Sequence, residues 1–234
     1  MTKNPKDALR DAASPASLVN VKITPPDIQR AVLWLIGDTY LCVHRFSEKA
    51  MTDIRTTQEA GSKSRSRKKR DPKNFEQLFQ AARHLSSEGW DGVPASAFRN
   101  AMISACRVAD YKMTHAKLAV FIREDGHDQD GMPIVKIHSD DQPEMWIAPA
   151  RNANGSFDLR SRPRWKPGTW RIQLHVEYDG GVFSLEDITN LLMRVGFQVG
   201  IGEGRPDSKD SAGIDYGKFH LESEADVKKG EQAA

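Results

Sequence analysis

Residues 184–221 read SLEDITNLLMRVGFQVGIGEGRPDSKDSAGIDYGKFHL, and the fold turns on this stretch. Ser184 and Asp187 form an approximate capping box, and Leu185, Ile188, Leu191, Leu192 and Val195 recur at helical spacing. Gly196 follows the last of these positions and predicts a helix stop at a residue of positive φ. Gly200, Gly202 and Gly204 strip side chains from the next turn, where something can approach the backbone closely. Tyr216–Leu221 reads as a strand. Helix, glycine-rich loop and strand in this order close an α+β domain, and the loop is a candidate part of a nucleic-acid-binding surface.

Upstream, Thr169–Tyr178 sets Trp170, Ile172, Leu174, Val176 and Tyr178 against Arg171, Gln173, His175 and Glu177, the period-two pattern of a half-buried strand. Residues 28–46 read as a strand broken at Gly37–Asp38, and Val19, Val21 and Ile23 as a short edge strand ahead of Pro25–Pro26. Phe46–Thr57 has helical potential, and Phe75–Leu85 is a helix with Phe75, Leu78, Phe79, Ala82 and Leu85 on one side. Pro94 opens a further helix whose buried stripe is Phe98, Met102, Ala105 and Cys106. Lys117–Arg123 and Ile134–Ile137 are predicted strands, whereas 142–158 reads as loop around a short apolar piece, Met145–Ile147. The order fits an α+β, ferredoxin-like or RRM-like core: a mostly antiparallel sheet, helices on one face, and a flexible basic insertion after the first strand. Residues 19–221 are expected to be one elaborated domain with that insertion at 58–74, flanked by disordered arms at 1–18 and 222–234.

With 38% hydrophobic and 28% charged residues, the composition suits a soluble domain. No apolar run is long enough for a membrane span, and the first twenty residues lack a secretory apolar segment, so a cytoplasmic setting is expected. Cys42 and Cys106, in apolar contexts, read as buried free thiols. The net charge of +2 hides its distribution: residues 63–73 carry seven basic side chains and one acid, and without them 27 basic residues stand against 31 acidic ones. The positive surplus is therefore local.

Candidate nucleic-acid contacts are accordingly Lys63, Arg65, Arg67, Lys68, Lys69 and Arg70, although the same run also reads as a solubilising insertion or a targeting signal. A second set lies in LRSRPRWKPGTW (159–170). Arg160, Arg162, Arg164 and Lys166 share a parity, so on a strand they point to one face, with Trp165 available for stacking on bases. An exposed edge strand whose charges discourage pairing fits the same pattern. The third set is Gly200, Gly202, Gly204 and Arg205. GIGEG (200–204) follows a helix and lacks a phosphate-loop lysine, which argues against a nucleotide pocket. His44 beside Arg45 is the candidate acid or base of a metal-independent nuclease, although a histidine at a strand-to-loop junction is more often a hydrogen-bonding structural residue. His175 shares the polar face of its strand with Arg171 and is expected on the surface of the other arginines. His127 and His138 lie among acidic turn residues with no ligand spacing fixed by a helix, so neither metal nor other cofactor is expected.

The blocks LCVHRFSEKA (41–50), GVPASAFRNAMISACR (92–107), LRSRPRWKPGTWRIQLHVEYD (159–179) and GFQVGIGEGRP…YGKFHL (196–221), with the basic linker, resemble a group of uncharacterised phage and prophage proteins across most of residues 30–221. GIGEGRP…DYGKF is also similar to the glycine-rich loop of the RAMP superfamily, which includes backbone subunits of CRISPR surveillance complexes. Two departures stand out: a polar gap splits the glycines, and Glu203 adds a negative charge. The second resemblance implies self-assembly along a nucleic acid, and with the residue readings the expectation is a non-enzymatic, homo-oligomeric protein on single-stranded RNA or DNA in a bacterial host cytoplasm. A phage structural or interaction protein without nucleic acid remains the alternative, and a nuclease the third.

Overall fold

The computed structural model describes residues 23–45, 56, 59, 72–151, 157–208, 214–223 and 226. In chain order its strands are β1 (Ile28–Gly37), β2 (Leu41–Cys42), β3 (Gly92–Pro94), β4 (Val120–Arg123), β5 (Gly126–His127), β6 (Pro133–Lys136), β7 (Glu144–Arg151), β8 (Phe157–Trp165), β9 (Arg171–Asp179) and β10 (Phe219–Leu221). The helices are α1 (Phe75–Ala81), α2 (Ala95–Val108), α3 (Met113–Ala119) and α4 (Leu185–Arg194). Every strand pairing is antiparallel, in three sheets ordered β10-β1-β9-β4, β2-β8-β7 and β3-β6-β5. The class is therefore α+β, with three sheets where the sequence reading expects one.

The alternation in β9 decides which face of the first sheet is covered. Ile172, Leu174, Val176 and Tyr178 are buried, as are Ala31 and Leu35 across the sheet on β1. They share one core with Phe98 and Met102 of α2 and Ile188, Leu191 and Leu192 of α4. Each such side chain contributes about 1.5–3 kcal/mol on burial. The opposite face carries Arg30, Val32, Gln173, His175 and Arg123. The β8 arginines belong to another sheet, and Arg162 among them is buried, so His175 does not share one exposed strand face with them.

The helix over 185–194 forms as predicted. Ser184 Oγ accepts from the Asp187 N–H at 3.1 Å, and the Asp187 carboxylate accepts from the Ser184 N–H at 2.9 Å. It does not stop at Gly196. The chain continues through a π-helical turn, Val195–Val199, closed by the Gly200 N–H donating to the Val195 carbonyl at 2.7 Å, and the residue of positive φ is Gly200 at 70°. Gly196 is instead a packing position, because a methyl group there would collide with the Phe219 carbonyl of β10.

Other boundaries move for identifiable reasons. The break at Gly37–Asp38 is present, and the Trp170 ring lies against Gly37 while its Nε1–H donates to the Thr39 carbonyl at 2.8 Å. Lys117–Ala119 belong to α3, so the strand expected from Lys117 starts at Val120, and the final strand begins at Phe219 rather than Tyr216. The loop expected over 142–158 contains β7, whose Pro149 is accommodated because β7 is the edge of its sheet. Its partner β8 lies centrally, between β2 and β7, so the edge-strand reading of 160–164 is wrong. Most of the predicted 19–23 strand, the Phe46–Thr57 helix and the arm at 1–18 lie outside the described residues, as do most of the insertion and the C-terminal tail. Glu222 still donates its N–H to the Trp34 carbonyl at 2.9 Å. No helix among the described residues is long and apolar enough to cross a membrane.

Candidate functional site

Four segments meet around a cleft of about 680 Å³. One wall is the N-terminal half of α2, contributing Ser96, Ala97 and Asn100. The other is the glycine-rich loop, with Gly202, Glu203 and Arg205, and the end is formed by His44 after β2 and His84 after α1. Ser104 and Arg107 clasp Asp207 of the loop, Arg107 at 2.7 Å, which ties the two walls together. The 14-residue α2 begins at Pro94 with no side-chain cap and no acidic residue in its first turn. Its first turn lines the cleft through Ser96 and Ala97, and a helix N-terminus carries free N–H groups and a partial positive charge.

The loop is shaped by its own chain. Gly202 and Gly204 have φ of 72° and 81°. Side chains at Gly202 and Gly200 would press on the Cys42 carbonyl and on Pro206 and the Tyr216 carbonyl. The close approach that these glycines permit is intramolecular. Glu203 N–H donates to the Cys42 carbonyl at 2.8 Å, and Ile201 N–H to the Gly217 carbonyl at 3.0 Å.

The β8 arginines are not a common exposed face. Arg162 is buried, 3% exposed, and its Nε lies 2.6 Å from Glu203 Oε2, an ion pair whose atoms are out of line for a hydrogen bond. Arg164 bonds Glu144 at 2.7 Å and the Tyr216 hydroxyl at 2.9 Å, with its guanidinium 4.1 Å from the Tyr40 ring centroid. Trp165 is 2% exposed and cannot stack on a base. Arg160 is half-buried, and Lys166 is exposed past the buried Trp165. Short alternating runs do not distinguish an exposed cationic face from one sealed under aromatic rings. Lys63, Arg65, Arg67, Lys68, Lys69 and Arg70 lie outside the described residues.

Of the sequence candidates, the fold places Gly202, Arg205 and His44 in the cleft. Burial first, then the charges of Arg162, Arg160 and His84, push the His44 imidazole down to about 4. Burial also pushes Glu203 up, against the pull of Arg162 and Arg160. Sequence reasoning missed His84, whose Nδ1 donates to the buried Asp128 carboxylate at 2.7 Å. Burial lowers His84, outweighing Asp128. At Asp128 burial is outweighed by the bonds from His84 and from the Met132 and Asp130 N–H groups, so its carboxyl lies below the usual range. The predictor of this pair would have been the isolated His84 at the end of α1, which carries no motif. Cys42 is fully buried and its thiol is pushed up to about 12 by burial, so neither it nor the buried Cys106 is a nucleophile.

A pH dependence follows from His44. Its folded value of about 4 lies below the ordinary 6.5, so the unfolded chain binds the extra proton between these limits. Stability is expected to be full above pH 6.5 and to fall towards pH 4 by up to about 3 kcal/mol, with Glu203 offsetting part because its shift has the opposite sign. Urea unfolding at pH 7 and 4.5 checks this, since the loss should shrink in His44→Gln.

No protein-family model matches the chain, and no curated protein matches it in sequence.

Proposed function

We propose that this chain is a single-strand nucleic-acid-binding protein with a ferredoxin-like core, and that the strand runs along the cleft between α2 and the glycine-rich loop. The core order supports the fold reading: strand, helix, strand, strand, helix, strand, given by β1, α2, β4, β9, α4 and β10, laid out as β10-β1-β9-β4. The observation that carries the binding reading is the meeting of the first turn of α2, which has no side-chain cap, with Arg205 across one open cleft. A helix N-terminus favours phosphate oxygens, and the cleft is open enough for a chain to pass over it. Glu203 does not repel such a strand in full, because Arg162 stands behind it at 2.6 Å. Residues 63–70 supply six further cations. Phage origin and the RAMP resemblance belong to the same reading.

Fluorescence anisotropy with a labelled single-stranded 20-mer RNA tests it. About five phosphate contacts at roughly 0.7 released counterion each predict a Kd about 100-fold weaker at 200 mM than at 50 mM salt. Arg205→Glu should weaken binding, and reversing the charge of Lys68, Lys69 and Arg70 should lower the salt slope. Binding that ignores salt overturns the reading.

Self-association is part of the proposal. Met145, Ile147, Leu159 and Phe157 lie on one face of the β7–β8 hairpin and are 38–75% exposed, the kind of apolar surface that a second copy can cover. Light scattering should give a mass above that of the 26.2 kDa chain, lowered by Phe157→Ser with Ile147→Ser. An assembly that forms equally well without any bound nucleic acid, with no RNA affinity, favours a structural or interaction protein instead.

A further inference from the structure

The cleft holds two imidazoles, each with a carboxylate on one ring nitrogen's side. His84 Nδ1 is held by Asp128 at 2.7 Å, and His44 Nδ1 lies 3.9 Å from Glu203 Oε2. Because an ionised carboxylate only accepts, Asp128 fixes the proton of His84 on Nδ1 and leaves Nε2 as the nitrogen that can serve a ligand. Both histidines line one cavity, and the charge of His84 is felt at His44. Arg162 and Arg160 bring positive charge to the same end, where a phosphate in transit to a five-coordinate state gains negative charge. Neither the fold nor phosphate binding requires two imidazoles in one cavity, one of them bonded to a buried carboxylate.

We infer that the cleft cleaves single-stranded RNA without a metal ion, with His44 as general base and His84 as general acid; this rests on the binding reading above. His44 accepts the proton of a ribose 2′-hydroxyl as that oxygen attacks the adjacent phosphorus. The P–O5′ bond breaks as His84 Nε2–H gives its proton to the departing 5′-oxygen. The products are a 2′,3′-cyclic phosphate and a 5′-hydroxyl end. No water, oxidant or reductant is consumed, and the proton gained by His44 returns to His84 through solvent. Catalysis needs His44 neutral and His84 charged. Arg160, Arg162 and Glu203 surround the first, and Asp128, Asp130 and Arg45 the second. Burial lowers both imidazoles, so the rate should peak on the acid side of neutrality.

The test incubates the full chain with a mixed-sequence single-stranded RNA, and with the same sequence as DNA, in the presence of EDTA at pH 4 to 8. The expected result is RNA fragments ending in cyclic phosphate, an acid optimum, and intact DNA. His44→Gln should lose at least about 100-fold in rate while its RNA Kd stays within about threefold, and circular dichroism confirms its fold. His84→Gln should lose the alkaline limb of the profile. RNA that is bound yet intact at every pH overturns the inference and leaves the binding reading standing, as does cleavage that persists unchanged in His44→Gln. Absence of RNA binding removes both.

Discussion

Gly217→Ala is expected to lower stability by roughly 3–4 kcal/mol, a drop of about 10 °C in Tm for a domain of this size. Gly217 has φ of 70°, where an alanine is strained by about 1 kcal/mol. The larger part comes from the Ile201 carbonyl, which a methyl group at this position would overlap. That carbonyl cannot move freely, since Ile201 N–H donates to the Gly217 carbonyl at 3.0 Å and Gly217 N–H to the Tyr40 carbonyl at 2.7 Å. The residue therefore joins the glycine-rich loop to the turn between β1 and β2. Gly168→Ala separates the two effects, because its φ of 76° is comparable but nothing lies within 4 Å of the added carbon. It should cost only about 1 kcal/mol. Equal losses in the two variants would show that strain alone matters and that the loop is not clamped as described.

Arg162→Met is expected to cost roughly 2–4 kcal/mol and to change the cleft as well as the core. Removing the guanidinium leaves the Glu203 carboxylate against a desolvated surface with its 2.6 Å counter-charge gone, and breaking such a pair is more costly than never forming it. The cost stays below that of a fully buried pair because the Glu203 side chain is 35% exposed. The double variant Arg162→Met with Glu203→Gln should recover most of the loss, since the orphaned charge is then gone. Denaturant unfolding of the two singles and the double measures the coupling directly. Simple additivity would mean that the pair is incidental. RNA affinity should follow a different order: Glu203→Gln alone is expected to tighten binding by removing an anion from the cleft wall.

The framework was legible wherever the local pattern and the tertiary environment agree. The alternation of Trp170 through Tyr178 and the capped helix from Ser184 are each set by burial on one side, and the folded chain uses them as written. The failures share a cause. Gly196 sits at the end of an apolar period, but the demand on it comes from Phe219, whose strand begins 23 residues later. The arginines at 160–164 alternate as an exposed face would, yet Glu203, Glu144, Tyr40 and Trp146 arrive from distant segments and seal them. His44 was visible as a candidate, whereas its companion His84 gains meaning only once Asp128 is folded beneath it. Site geometry of this kind lies in long-range contacts that a local pattern does not encode.

The most direct measurement of the central claim is photo-cross-linking of a 4-thiouridine-substituted single-stranded RNA to the full chain, with the modified peptides mapped by mass spectrometry. The account predicts adducts in the peptides carrying Ser96–Asn100 and Gly202–Arg205, competed away by unlabelled RNA. Adducts confined to residues 63–70, or to the outer face of the four-stranded sheet around Val32 and His175, would contradict it.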